Sequence, residues 1–290
     1  MDFEALRAFV AVAETGSFTR AAAQIYLTQP AVSKRIGTLE TELGTRLFDR
    51  IGRGIHLTEA GRTLLVRAQT ILSQVEDAKR SLPAQSGPVS GELSMATSHH
   101  VGLHRLPKVL KRFREAYPAV SLDLHFMDSE VACAAIQQGQ LELAVVTLPP
   151  RDYANIERVR VWDDPLEIVV GRSHPLARRT RIKPTNLVGY PAILPGPGTY
   201  TREIVLAALA PIRHELNVVM STNYLEVLRM LAGIGLGWSA LPRTMIDDEL
   251  KVVHIDRVHI RRELGIVLHR ARTLSNAGRA MIATIKEDAS

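Results

Sequence analysis

Residues 28–43 read Thr28-Gln-Pro-Ala-Val-Ser-Lys-Arg-Ile-Gly-Thr-Leu-Glu-Thr-Glu-Leu43, followed by Gly44. Thr28 is a good helix cap, and Pro30 falls in the first turn, where its missing amide proton is no loss. Val32, Ile36, Leu39 and Leu43 step by four, three and four, which predicts one buried stripe. The remaining surface carries Gln29, Ser33, Lys34 and Arg35. Gln pairs well with adenine edges, Lys and Arg with guanine or phosphate, and Ser with either. The unbonded amides of the first turn, joined by the Thr28 hydroxyl, suit a phosphate. The stretch therefore reads as a helix that enters a DNA groove.

The flanking residues agree. On the N-terminal side, Leu6, Phe9, Val10 and Ala13 recur at helical spacing until Gly16. Ser17 then caps a short helix whose small inner residues, Ala21 and Ala22, allow the next helix to cross closely. On the C-terminal side, Leu47 to Thr58 holds two short apolar strands around Gly52-Arg-Gly54. This is a hairpin whose tip presents Arg53, with Arg50 nearby, to the DNA backbone or minor groove. Helices, then groove helix, then basic hairpin define a winged helix-turn-helix over residues 1–58. A plain helical bundle explains neither the order nor the basic tip.

The sequence resembles the LysR-type transcriptional regulators. The resemblance rests on Leu6-Arg-Ala-Phe-Val-Ala-Val-Ala-Glu-Thr-Gly-Ser-Phe-Thr-Arg-Ala-Ala22, Thr28 to Glu40, Leu43-Gly-Thr-Arg-Leu-Phe-Asp-Arg50 and Leu57-Thr-Glu-Ala-Gly61. The family pattern extends over essentially the whole chain. It implies that Gln29, Pro30, Ser33 and Lys34 face the groove, with Arg53 in the wing. Gly37 departs from the pattern, which usually has a polar or charged residue there; relative to Ala it costs the helix about 1 kcal/mol.

From Thr58 a single helix is expected to about Leu82, ended by Pro83 and the Ser86-Gly-Pro-Val-Ser-Gly91 stretch. Leu57, Gly61, Leu64, Ala68, Ile71, Val75, Ala78 and Leu82 alternate steps of four and three, a coiled-coil seam that calls for a partner helix. The domain reading is thus a linker helix over 59–83 and a hinge over 84–91.

Residues 92–290 alternate strand and helix, as in an α/β fold with a parallel sheet. The expected strands are 92–97, 120–126, 141–147 and 165–171, with others near Ala192 and Val218 and at 236–241 and 264–269. Two lobes are expected, one over 92–164 and 266–290, the other over 165–265. Ligands of such folds sit where strands end and helices begin. That rule singles out Thr97-Ser-His-His100, Asp128-Ser129, Thr147 and Gly196-Pro-Gly-Thr-Tyr-Thr201. The resemblance implies a two-lobed domain like a periplasmic binding protein, with Ser98, His100, Thr147, Thr199 and Thr201 as effector contacts. Hydroxyls and amides there suit a small anion. The resemblance also implies a homotetramer, a dimer of dimers; the heptads alone imply only pairing.

Other chemistries are excluded on pattern. A net charge of +6 favours an anionic partner but does not decide for DNA. With Cys133 the sole cysteine, no internal disulfide can form, and with no signal-like N-terminus the expected address is the cytoplasm. Cys133 lies in an apolar helical run and reads as a small core residue. His100 and His104 are an i, i+4 pair, but no neighbouring carboxylate or cysteine completes a ligand set, and Arg105 would repel a cation; no metal and no cofactor are expected. Gly233-Ile-Gly-Leu-Gly237 lacks the dinucleotide spacing. Neither Ser98 nor Ser239 lies in G-x-S-x-G, so no enzyme is indicated.

Overall fold

The computed structural model describes residues 1–51, 54–81, 89–179 and 181–289. The chain divides into an N-terminal unit within Met1–Ser86 and a C-terminal unit that holds nearly all of the rest. Among the described residues no helix is long and apolar enough to cross a membrane.

The N-terminal unit contains α1 (Phe3–Thr15), α2 (Phe18–Gln24), α3 (Gln29–Leu43), β1 (Phe48–Ile51), β2 (Gly54–Leu57) and α4 (Glu59–Ser81). Asp2, Ser17 and Thr28 each accept a hydrogen bond from an amide in the first turn of the helix that follows. Gly44, in the left-handed region, ends α3. Val32, Ile36 and Leu39 are buried as expected, but Leu43 is 40% exposed, so the stripe stops one turn early. β1 and β2 pair antiparallel, with Phe48 opposite Leu57. Phe48 packs against Phe9 at 5.3 Å and Phe18 at 6.1 Å, which seats the hairpin on the helices. Glu40 accepts from the Leu47 and Phe48 amides, tying the end of α3 to the start of the hairpin.

Part of the linker helix packs on its own domain. The Leu57–Ile71 part of the expected coiled-coil seam faces its own domain. Gly61 and Ala68 are buried, and Leu57, Leu64 and Ile71 pack against the core that contains Phe9 and Val12. A Cβ on Gly61 would lie 2.2 Å from the Leu47 carbonyl oxygen, so this position is glycine because α4 passes directly over the hairpin. Four-three spacing marks any helix with one apolar face, and here the domain itself covers part of that face. The last seam positions, the Ala78 side chain and Leu82, and most of the 84–91 hinge lie outside the described residues.

The C-terminal unit follows as β3 (Gly91–Thr97), α5 (His99–His104), α6 (Leu106–Ala116), β4 (Val120–Phe126), α7 (Ser129–Gln137), β5 (Leu143–Thr147), β6 (Ile156–Gly171), β7 (Arg181–Ile182), β8 (Ala192–Leu194), α8 (Tyr200–Ala208), β9 (Val218–Ser221), α9 (Leu225–Gly233), β10 (Ser239–Pro242), β11 (Leu250–Val252), β12 (His254–Ile255), β13 (Ile260–His269) and α10 (Asn276–Ala289). The described strands of this unit give a main sheet in the order β10-β6-β13-β5-β3-β4, with β11 also on β6, and two parallel pairs, β12-β7 and β8-β9. The expected parallel pairing holds for part of this fold only. β4, β3 and β5 are parallel, whereas β13 runs antiparallel to both β5 and β6.

The reason lies in β6 and β13. Both are longer than their apolar cores suggest and run side by side from one lobe into the other. No loop marks a lobe boundary at 164/165; Pro165 sits inside β6. The register shifts at Leu264/Gly265, where a side chain on Gly265 would strike the Val159 carbonyl at 2.2 Å. One lobe packs around Leu93, Phe113, Val145 and Met281, and the other around Ile168, Leu187, Val205 and Trp238. Cys133 is buried, and burial pushes its thiol up to about 11, in keeping with a core residue.

Candidate functional site

In the N-terminal unit, Gln29, Ser33 and Gly37 fall at successive i, i+4 positions of α3 and Lys34 lies beside them on its exposed surface. The Gln29 amide donates to the Ser33 hydroxyl at 2.9 Å, so the two groove-type side chains are held together. Thr28 and Pro30 lie exposed at the same helix start. Arg35 behaves differently. Its guanidinium donates to Glu4 of α1 at 2.9 Å, and that hydrogen bond, against a small cost of burial, lowers the Glu4 pKa. Position 35 flanks the buried stripe, so Arg35 braces α3 on α1. Arg53 and the Arg50 side chain lie outside what the structure describes.

In the C-terminal unit, Ser98, His100, Thr147, Thr199 and Thr201 come from three separate segments and line one cavity of about 50 Å³ between the lobes. Asp128 and Ser129 join them. The hydroxyls are not equivalent. Thr199 caps α8, accepting from the Arg202 amide at 3.3 Å and donating to the Gly196 carbonyl at 2.8 Å. Ser98 precedes α5 without a side-chain cap bond. The Ser129 hydroxyl accepts from the Thr147 amide at 3.2 Å.

Arg262, Glu130 and Asn223 also line the cavity and were missed by sequence reasoning. Arg262 is buried on β13, with Nε donating to Asp164 at 2.6 Å and Nη1 to the Thr201 hydroxyl at 3.0 Å. Its Nη2 has no partner. Burial lowers the Arg262 pKa and Asp164 acts against that shift. The signal was present in Ile260-Arg-Arg-Glu-Leu264, where Arg262 shares one strand face with two buried apolar residues; the expected strand began too late to include it. Asn223 donates to Asp128 at 2.6 Å across the cleft. Glu130 accepts from the Tyr200 amide, and burial raises its pKa despite that bond.

His100 is 5% exposed, and neither ring nitrogen has a hydrogen-bond partner. Burial above all, then the charges of Arg262, His104 and Arg105, lowers its pKa to about 2. The expectation that no carboxylate joins His100 and His104 is corrected. Glu226, on α9 of the other lobe, approaches His104 at 3.0 Å, and the three residues offer ligand atoms within 4.8 Å of one another. His99 also lines the cavity and packs edge-on to Phe126 and Tyr224.

Residues 3–62 match the model of the bacterial regulatory helix-turn-helix protein, lysR family, and residues 86–290 match the LysR substrate binding domain. A probable RuBisCO transcriptional regulator of Trichormus variabilis is 31% identical over 287 residues, covering 95% of this chain and 85% of its own. Among solved structures, full-length OxyR of Pseudomonas aeruginosa, in a cysteine-to-aspartate variant, superposes with a TM-score of 0.74 at 21% identity, covering 99% of this chain and 98% of that one. CbnR in complex with its target DNA gives 0.67 at 22% identity, covering 99% and 100%. The fold is therefore a helix-turn-helix domain joined to a periplasmic-binding-protein-like α/β domain. The chain belongs to the LysR family of transcriptional regulators, DNA-binding proteins with an effector-binding domain and no enzymatic activity.

Proposed function

We propose that the chain regulates transcription in the cytoplasm by gripping promoter DNA through α3 and the wing and by sensing a small anion in the inter-lobe cavity. On the DNA side, Gln29, Ser33 and Lys34, with Thr28 and Pro30 at the helix start and Arg50 and Arg53 in the wing, make the contacts. The Arg35–Glu4 pair argues that Arg35 supports α3 and reaches DNA only if that pair opens. A Lys34→Ala, Arg53→Ala double variant in a mobility-shift assay at moderate salt tests this surface. Loss of binding is expected, and binding as tight as wild type overturns the assignment.

The observation that carries the effector reading is the unpaired Nη2 of buried Arg262, beside the unpaired ring of His100, in a cavity lined by Ser98, Thr147, Thr199 and Thr201. Acidic groups in the cleft are already engaged, Glu130 by Tyr200 and Asp128 by Asn223. The donors left over favour a negative oxygen. Size favours a small one: about 50 Å³ holds a few water-sized groups, far short of the roughly 300 Å³ of a drug-sized pocket. A thermal-shift screen of small carboxylates and oxyanions against wild type and Arg262→Lys tests it. A stabilising anion that acts equally on both proteins overturns the role of Arg262.

Two-fold pairing is part of the proposal, as a dimer of dimers. The Leu57–Ile71 row is only partly covered by its own domain, and exposed Val66 adds apolar surface on α4 for a partner helix. Exposed Val219 and Met220 of β9, Met230 of α9 and Ile234 just after it add apolar surface in the C-terminal unit. Light scattering after gel filtration distinguishes monomer, dimer and tetramer.

A further inference from the structure

We infer that His100, His104 and Glu226 form a site for a divalent transition metal of the zinc class, which joins the two lobes beside the cavity that His100 lines. His100 and His104 stand one turn apart on α5, with ring centroids 4.8 Å apart. Glu226 comes from the first turn of α9 in the opposite lobe and already touches His104 Nε2 at 3.0 Å. All three ligand atoms lie within 4.8 Å of one another. Bonds of about 2.0–2.1 Å around a tetrahedral ion bring donors somewhat closer than this, which side-chain rotation supplies.

The second observation is independent of the clustering. His100 is 5% exposed and both of its nitrogens lack a partner. Buried polar groups are nearly always hydrogen-bonded, so an imidazole left unsatisfied at the edge of a cavity needs an explanation. A neutral ring with an uncommitted lone pair is the form that binds a metal. Two imidazoles and one carboxylate select zinc, cobalt or nickel over magnesium or calcium, which prefer all-oxygen shells. Three protein ligands leave a fourth position of a tetrahedral ion for water or an anionic oxygen.

The cations nearby do not forbid this. Arg105 and Arg262 both reach Asp164, at 3.6 Å and 2.6 Å, and that carboxylate offsets part of their charge. The bound ion would tie α5 to α9 and hold the lobes together. The ion takes up the His100 ring, and the small-anion reading then stands on Arg262 Nη2 and the cavity hydroxyls.

The test uses full-length, untagged protein stripped with chelator and titrated with cobalt alone, without effector or DNA. Expected is one cobalt per chain with the visible bands of a four-coordinate ion, displaced by zinc. His104→Gln and Glu226→Gln should each weaken binding tenfold or more, whereas His125→Gln on β4 should not change it. His104 and Glu226 are both part-exposed, so these variants should fold; a thermal melt without metal checks that. Absence of saturable uptake by the wild type, or undiminished cobalt binding in both folded variants, overturns the site.

Discussion

Arg262 and Asp164 face each other across the β6/β13 ladder, with Nε 2.6 Å from Oδ2, and each is almost wholly removed from solvent. The pair sits where these two strands pass from one lobe to the other. Through Nη1, Arg262 also reaches Thr201 at the start of α8, so a single side chain links the crossing strands to the cavity wall.

Breaking this pair should cost more than the pair itself contributes. Asp164→Asn leaves the Arg262 charge buried and poorly compensated, and a loss of about 3–5 kcal/mol in urea denaturation is expected. Asp164→Leu combined with Arg262→Met should recover a large part of that loss. A double variant no more stable than Asp164→Asn would show that shape at this crossing matters more than charge.

His100 gives a pH signature. Burial, aided by nearby cations, lowers its pKa from the ordinary 6.5 to about 2. Below 6.5 the unfolded chain takes up a proton that the folded ring refuses, so stability falls with falling pH between these two values. The slope is about 1.4 kcal/mol per pH unit. In chelator-treated protein, His100→Gln should remove this part of the decline between neutral and mildly acidic pH. An unchanged difference between the two conditions would mean that His100 protonates freely.

Gly61→Ala should destabilise the N-terminal unit. The added methyl meets the Leu47 carbonyl at 2.2 Å and the Leu57 side chain at 2.9 Å, and backbone cannot step aside cheaply. A cost of about 1–3 kcal/mol, typical of overpacking, is expected in thermal melts, with DNA affinity falling in parallel. Wild-type stability would indicate that α4 can lift from the hairpin.

Gly37→Ala should act in the opposite direction on stability. Nothing lies within 4 Å of the added Cβ, and the position is exposed on α3. A gain of about 1 kcal/mol follows from helix propensity. If Gly37 lies against DNA, as its alignment with Gln29 and Ser33 suggests, affinity should change while stability rises. Unaltered DNA binding would place position 37 off the interface.

The helix-turn-helix was legible because its signals are local. Ser17 and Thr28 cap the helices they precede, Gly16 and Gly44 end them, and the steps through Val32, Ile36 and Leu39 mark the buried face. The cavity hydroxyls were legible for a similar reason, since strand ends and helix starts can be placed from pattern alone. Arg262, Asn223 and Glu226 were not, because the partners that give them meaning lie 98, 95 and 122 positions away. The partner of the linker helix is not legible in sequence, because a four-three row looks the same whether it meets another chain or its own domain.

Thus the sequence by itself determined the elements of the DNA-binding unit, the two-part organisation, the family and most of the cavity's hydroxyls. Tertiary structure alone decided which face of α4 is partly covered, that Arg35 braces α3 through Glu4, and that β6 and β13 carry a buried ion pair between the lobes. It also decided that a carboxylate meets His104. Periodicity and capping act within a few residues of chain, whereas charge pairing and ligand sets depend on which distant segments packing brings together.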